Sequence, residues 1–298
     1  MDKSFRAYNR RRRTGTLIEV LCVALFTIIF LFPFLNQFAV SFSSGRAILS
    51  GEVFLWPIEF NTKAWSNVFN NSEMIRSLFF TIILTATVSV LQMVVITLAA
   101  YPMACRKMRF KVGFLVFFMI PMYFGGGLIP TYLLYKDIHL LNSPWVLVLP
   151  GLYNMFNMLI LRTNFAAVPD ALMESAKLDG ANDFVIMTRI YVPLCVSTYA
   201  TLTLFAAVSR WNGFTDAIFY MPNNYDYQPL QLVLNRTLNA VGDQEKLLEQ
   251  MESGGAYQVV SESQKAANLL FTVVPIILVY PWLQKYFIKG VMVGAVKS

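Results

Sequence analysis

Six stretches of this chain are apolar over the length that a helix needs to cross a bilayer. They run approximately over residues 17–41, 78–100, 112–134, 144–161, 192–211 and 267–288. A hydrocarbon core takes about 20 residues of helix. In lipid the backbone must satisfy its own polar groups, so the pattern predicts an all-α bundle of six membrane-spanning helices. The fourth stretch is the shortest and carries Pro150-Gly151, which predicts a bend or tilt. The first is too long for the apolar region of a signal peptide and has no small-residue cleavage site after it, so it is expected to be a retained anchor. Charged residues make up only 14% of the chain. A soluble domain carries about 25% and needs them to cover its surface.

The net charge of +7 could point to nucleic acid, but the placement of the charges argues for a topology signal instead. Lys3, Arg6, Arg10, Arg11, Arg12 and Arg13 crowd the first 15 residues. With that tail inside, the loop holding Arg106, Lys107, Arg109 and Lys111 falls inside too, as do residues 162–191 and the end of the chain with Lys289 and Lys297. The opposite side receives eleven acids, from Glu52 to Glu262. Basic loops on the cytoplasmic face are the expected bias, so both termini are expected to be cytoplasmic.

Two segments fall on the other side. Residues 42–77, with Trp56-Pro57 and Trp65, read as a partly structured cap. Residues 213–266 contain the turn signal Asn223-Asn224-Tyr225-Asp226, then a short charged helix over 244–251 ended by Gly254-Gly255. Either segment is a solvated loop or a docking surface for a partner outside the membrane. Cys22, Cys105 and Cys195 lie in or beside apolar runs and read as small fillers. His139 is the only histidine and reads as a loop residue, which speaks against a His-based metal cluster or a Ser-His-Asp triad. No catalytic and no metal-binding residues are expected. No internal repeat is visible.

One polar island interrupts the apolar pattern: Glu174-Ser175-Ala176-Lys177-Leu178-Asp179-Gly180-Ala181, followed by Ile190-Tyr191-Val192-Pro193-Leu194. Pro169 and Asp170 suit the first turn of a helix, since proline has no N–H to leave orphaned and an acid complements the helix dipole. Leu172, Met173, Ala176 and Leu178 then form an apolar stripe, and Gly180 can end the helix in the left-handed conformation. Asn182 or Asp183 can cap a second helix running to about Tyr191, with Pro193 marking the start of the fifth span. Ser175, Ala176, Gly180 and Ala181 are small enough to let another protein approach closely.

The spacing Glu-Ser-Ala-x-x-Asp-Gly-Ala, followed nine residues later by Ile-x-x-Pro-Leu, resembles the EAA loop of binding-protein-dependent ABC importer permeases. More narrowly, the chain resembles the MalG-type carbohydrate branch. Its last residues, 287–298, are similar to that branch's terminal tail. Gly126-Gly127-Leu128-Ile129-Pro130-Thr131-Tyr132 with Leu141-Asn142-Ser143 is similar to the polysaccharide-associated LplC/YtcP-like members. Ser175 stands where alanine is usual in the motif, a mild departure.

The resemblance implies a type I ABC importer permease (MetI-like) fold in a bacterial plasma membrane. It implies a basic tail over 1–15, a first span with external segment over 16–77, a permease core over 78–288 and a cytoplasmic tail over 289–298. The coupling loop would lie at about 162–193 and an external loop at about 213–266. Glu174, Ser175, Ala176, Leu178, Asp179, Gly180, Ala181 and Pro193 would seat the loop in a cytoplasmic ATPase, with Gly294, Ala295, Val296 and Lys297 near the ATPase dimer. The implied partners are a second, homologous permease, two ATP-binding cassette subunits, an extracytoplasmic solute-binding protein, an oligosaccharide and membrane lipid, without nucleic acid. ATP and Mg would belong to the ATPases. This chain has no G-x-x-x-x-G-K-[ST] run, and no Gly-Lys pair at all.

Within the apolar stretches, Gln92, Tyr123, Asn154, Asn157, Arg210, Trp211 and Asn212 must face the bundle interior or a water-filled path. Sugars present C–H faces to aromatic rings and hydroxyls to amides, so Tyr123, Phe124, Asn154, Asn157, Trp211 and Asn212 are the candidate substrate path. Hydrogen bonding between helices is the competing reading. Two rival functions stay open: an ion-coupled transporter or channel subunit, and an intramembrane enzyme.

Overall fold

The computed structural model describes the backbone of residues 2–105, 108–249, 262–279 and 281, and the side chains of 15–105, 108–240, 262–279 and 281. The expectations for Arg106, Lys107, the Gly254-Gly255 stop, the end of the sixth apolar stretch and the tail at Gly294–Lys297 lie outside these residues. Regular structure among the described residues is entirely helical. They form two compact units. One takes in residues up to Asn71 with a segment ending at Phe271; the other takes in Ser72–Asn235 with the segment beginning at Thr272.

In the first unit, α1 (Asp2–Ser41) is apolar on every face over Gly15–Ser41. Phe26, Phe30 and Leu21 are among its exposed side chains. A helix that is hydrophobic all round belongs in lipid or against other helices. The chain then turns back on itself through α2 (Gly45–Leu49) and α3 (Lys63–Asn70). The Ser44 side chain caps α2, and Trp65 donates from its indole to Ser41 Oγ at 3.2 Å. A ladder of rings, Phe60, Phe42, Trp65 and Phe69, gives the segment a core of its own. The expected cap over 42–77 is therefore folded through Asn70.

The second unit is built on α4 (Ser72–Ala104), a 33-residue helix. Next come α5 (Lys111–Tyr123), α6 (Leu128–Asp137), α7 (Trp145–Val148) with a 3₁₀ turn over Leu149–Leu152, and α8 (Met155–Ala166). A hairpin follows, made of α9 (Asp170–Leu178) and a second arm: α10 (Asp183–Ile186), a π turn over Met187–Tyr191 and α11 (Val192–Leu194). α12 (Val196–Asn212) and α13 (Thr215–Tyr220) lead to α14 (Leu230–Glu249), which belongs to this unit through Asn235, and α15 (Glu262–Val279) belongs to it from Thr272. α4 packs along α8 and α12. One apolar core at this junction gathers Ile96, Met158, Leu161, Phe165, Ile186 and Leu202; a second gathers Leu84, Val88, Leu147, Ala217 and Leu232.

Gly15–Ser41, Ser72–Ala104, Trp145–Ala166 and Glu262–Val279 are each long and apolar enough to cross a membrane. Two further candidates are bent pairs, so the described residues offer four to six spans. The single span expected over 112–134 is instead α5 and α6, bent by 111°. Gly125-Gly126-Gly127 lies in the break, with Gly127 at φ 81°, where only glycine is at ease.

The fifth span also departs from expectation. The arm starting at Asp183 runs past Tyr191 to Leu194, and the bend of 84° falls at Cys195. Pro193 therefore does not open α12. It sits inside the continuous helical arm, just after the π turn and two residues before the bend. The charged helix expected at 244–251 starts much earlier, at Leu230. Leu230, Leu232 and Val233 are buried, a tertiary contribution that local charge does not report.

Asn142 is also legible only in three dimensions. It holds φ at 57°, a conformation asparagine tolerates. Its N–H donates to Tyr220 O at 2.8 Å, while its carbonyl accepts from Asn224 Nδ2 at 2.8 Å. The Leu141-Asn142-Ser143 turn is thereby fastened to the turn that follows α13. His139 is a turn residue, at φ 54°.

Candidate functional site

The hairpin is closed by its own backbone. Gly180 takes φ 80°, its N–H donates to Lys177 O at 3.1 Å, and the Ala181 N–H donates to Ala176 O at 2.9 Å. This pair of bonds is the Schellman termination, which satisfies the orphan carbonyls of α9. Asn182 Oδ1 accepts from Val185 N–H at 2.9 Å and caps the second arm. Lys177 and Asp183 pair across the turn at 3.1 Å, on a surface where such a bridge adds little.

The base of the hairpin is anchored by aromatic rings. Tyr191 is buried and stands edge-on to Tyr101 of α4 at 5.2 Å and to Phe165 of α8 at 5.4 Å. Met173, Ala176 and Ala181 also pack against this core. Leu172 and Leu178, expected on the same stripe, turn outward, and Leu178 is 89% exposed. Phe184, on the second arm, is 65% exposed. Glu174, Ser175, Asp179, Gly180 and Pro193 are exposed as well. The result is a fixed base carrying an open tip with two large apolar side chains. Beside the base, burial and then the negative charge of Asp183 push the Cys105 thiol up from its ordinary range; Lys177 opposes the shift.

A second feature is a polar cavity of about 540 Å³ between α4, α8 and α12. Gln92 Nε2 donates to Gly151 O at 2.6 Å, and Asn157 Nδ2 donates to Gln92 Oε1 at 3.1 Å. Asn154 lines the same space and caps α8 by accepting from Asn157 N–H at 2.9 Å. Gly151 brings the 3₁₀ turn close to α4: a Cβ there would meet Val88 Cγ1 at 3.0 Å. Phe156, Phe205, Ser209, Arg210 and Asp216 complete the wall.

The six candidate path residues do not converge. Asn154 and Asn157 share the cavity. Tyr123 and Phe124 are exposed at the break between α5 and α6. Trp211 is buried on an apolar groove, with Nε1 donating to Thr272 O at 3.3 Å. Asn212 is exposed and bonded to Val208 and Gln231. Phe205, Ser209 and Asp216 went unrecognised in the sequence. The first two lie four residues apart on one face of α12, a spacing that could have pointed to them. Among the described residues no group of His, Cys, Asp and Glu could hold a metal ion.

Residues 89–293 match the model of the family described as binding-protein-dependent transport system inner membrane component. The polygalacturonan/rhamnogalacturonan transport system permease protein YtcP of Bacillus subtilis (strain 168) is 33% identical over 274 residues, covering 92% of this chain and 95% of that protein. Protein LplC of the same organism is 35% identical over 292 residues, covering 96% and 97%. A crystal structure of a bacterial ABC transporter involved in the import of the acidic polysaccharide alginate contains a chain that superposes with a TM-score of 0.83. It is 30% identical and covers 93% of this chain and 98% of that one. Permease subunits of this kind are transport components and carry out no bond chemistry. With the family model spanning well over half of its length and two relatives matching almost end to end, the chain belongs to the inner membrane components of binding-protein-dependent transport systems, as a multi-pass permease subunit.

Proposed function

We propose that this permease forms one half of the translocation path of an ATP-driven oligosaccharide importer, and that the hairpin over residues 170–194 is its coupling element. A homologous permease supplies the other half, two cytoplasmic ATPases hold ATP and Mg, and an extracytoplasmic binding protein delivers the sugar. Both termini and the hairpin lie on the cytoplasmic side. The observation that carries this reading is the contrast within the hairpin: rings at its base tie it to α4 and α8, while Leu178 and Phe184 stand open at its tip. A rigid knob with an apolar tip transmits motion without deforming.

When the ATPases close on nucleotide, they carry the knob with them, and α4, α8 and α12 move as its attached load. ATP supplies the bias through its tighter binding to the closed ATPase state. In this chain the polar cavity faces the path, where Gln92, Asn154 and Asn157 offer amides to sugar hydroxyls.

Gly180→Trp tests the coupling role. Nothing in the chain lies within 4 Å of a Cβ at Gly180, so an added side chain points at a docked partner, while any side chain at φ 80° also strains the turn. The ATPases are expected to be lost from the purified complex, with the spans still inserted. Gly180→Asn, which keeps the left-handed conformation accessible, is expected to retain them. ATPase association and transport unchanged by Gly180→Trp would contradict the proposal.

A further inference from the structure

Arg210 is a charged side chain only 8% exposed, on the wall of the polar cavity. Its plane is fixed by two backbone carbonyls: Nη1 donates to Leu147 O at 3.0 Å and Nη2 donates to Gly213 O at 2.8 Å. The position is built around glycine. A Cβ on residue 213 would stand 2.9 Å from Nη2. Among the described residues Nε has no hydrogen-bond partner, although it is buried. The facing acid, Asp216, stands 3.7 Å from Nη1, and its side chain is about half exposed.

A buried cation normally requires a well-placed counter-charge. Here carbonyl dipoles hold the guanidinium, and the counter-ion is loose and solvent-exposed. A guanidinium offers five N–H donors and matches a carboxylate in geometry. We infer that Arg210 is a fixed carboxylate-binding point in the translocation cavity, with Asp216 as a resident counter-ion that yields when the acid group of a uronate arrives. This rests on the importer reading above and assigns to one residue the preference for acidic over neutral sugar. Asn154 and Asn157, across the cavity, are left to bind hydroxyls of either kind.

The test is ATP-driven uptake by the complete transporter in proteoliposomes, comparing trigalacturonate with its methyl ester, which has the same length and ring faces but no charge. In Arg210→Gln the KM for the acid is expected to rise about tenfold or more, the loss of a charge-assisted contact, and by far more than the KM for the ester. Asp216→Asn leaves the Arg210 cradle intact. It is expected to lower the KM for the acid severalfold, and by more than it alters that for the ester. Equal loss of acid and ester uptake in Arg210→Gln, or an Asp216→Asn protein that treats both sugars as the wild type does, would overturn the inference while leaving the importer reading in place. A wild-type complex that imports neither sugar on ATP would overturn both.

Discussion

Tyr191 meets Tyr101 edge-on at 5.2 Å, and through that contact the second arm of the hairpin is fastened to the longest helix of the permease core. Phe165 closes on the same tyrosine from α8 at 5.4 Å. Tyr191→Ala removes both ring contacts from a buried site and is expected to loosen the hairpin by about 3 kcal/mol. Hydrogen exchange checks this: amides over 170–194 should exchange faster while those of α4 keep their protection. Uniform acceleration through α4 would mean that the rings hold the core rather than the hairpin.

Gly151 and Val88 set the distance between the 3₁₀ turn and α4 beside the cavity. With the added Cβ at 3.0 Å from Val88 Cγ1, Gly151→Ala is expected to destabilise by about 1–2 kcal/mol through overpacking. Trimming the neighbour with Val88→Ala should recover part of that loss. Thermal unfolding of the single and double variants measures the coupling. Strictly additive effects would show that the two residues do not press on one another.

Cys105 offers a pH test of the hairpin's surroundings. Its thiol is raised by burial first and then by Asp183, with Lys177 opposing. The sign follows directly: the native state keeps the thiol proton at a pH where the unfolded chain has released it. The stabilising contribution is therefore complete below the ordinary thiol value of about 8.5 and is lost as pH rises through the higher native value. Alkylation by a neutral reagent at pH 7 is expected to be slower than for a free thiol, slower again in Lys177→Gln, and faster in Asp183→Asn. Rates indifferent to both charge changes would place Cys105 away from the hairpin.

Much of the bundle was legible because apolar runs long enough to cross a bilayer have few other destinations. Gly180 was legible for a similar reason, since few residues end a helix left-handed, whereas the cap of the second arm was narrowed only to Asn182 or Asp183 and the structure settles it on Asn182. The failures were tertiary. Pro193 reads as a boundary, yet the helical arm runs on through it from the π turn, and the chain bends two residues later at Cys195. Leu178 shares a stripe with Met173 and Ala176 by spacing, but the hairpin buries only the latter two against the core. Trp211 and Asn212 adjoin Arg210 in sequence. A helix sends neighbouring residues to different faces, so only Arg210 reaches the cavity with Asn154 and Asn157.

The most direct test of the central claim places a photo-crosslinking phenylalanine analogue at Leu178, the most exposed apolar side chain of the hairpin tip, in the complete transporter. Irradiation is expected to join this chain covalently to its ATPase subunit, in a yield that changes when nucleotide closes the ATPases. Adducts to lipid alone, from a complex that still imports sugar with ATP, would contradict it.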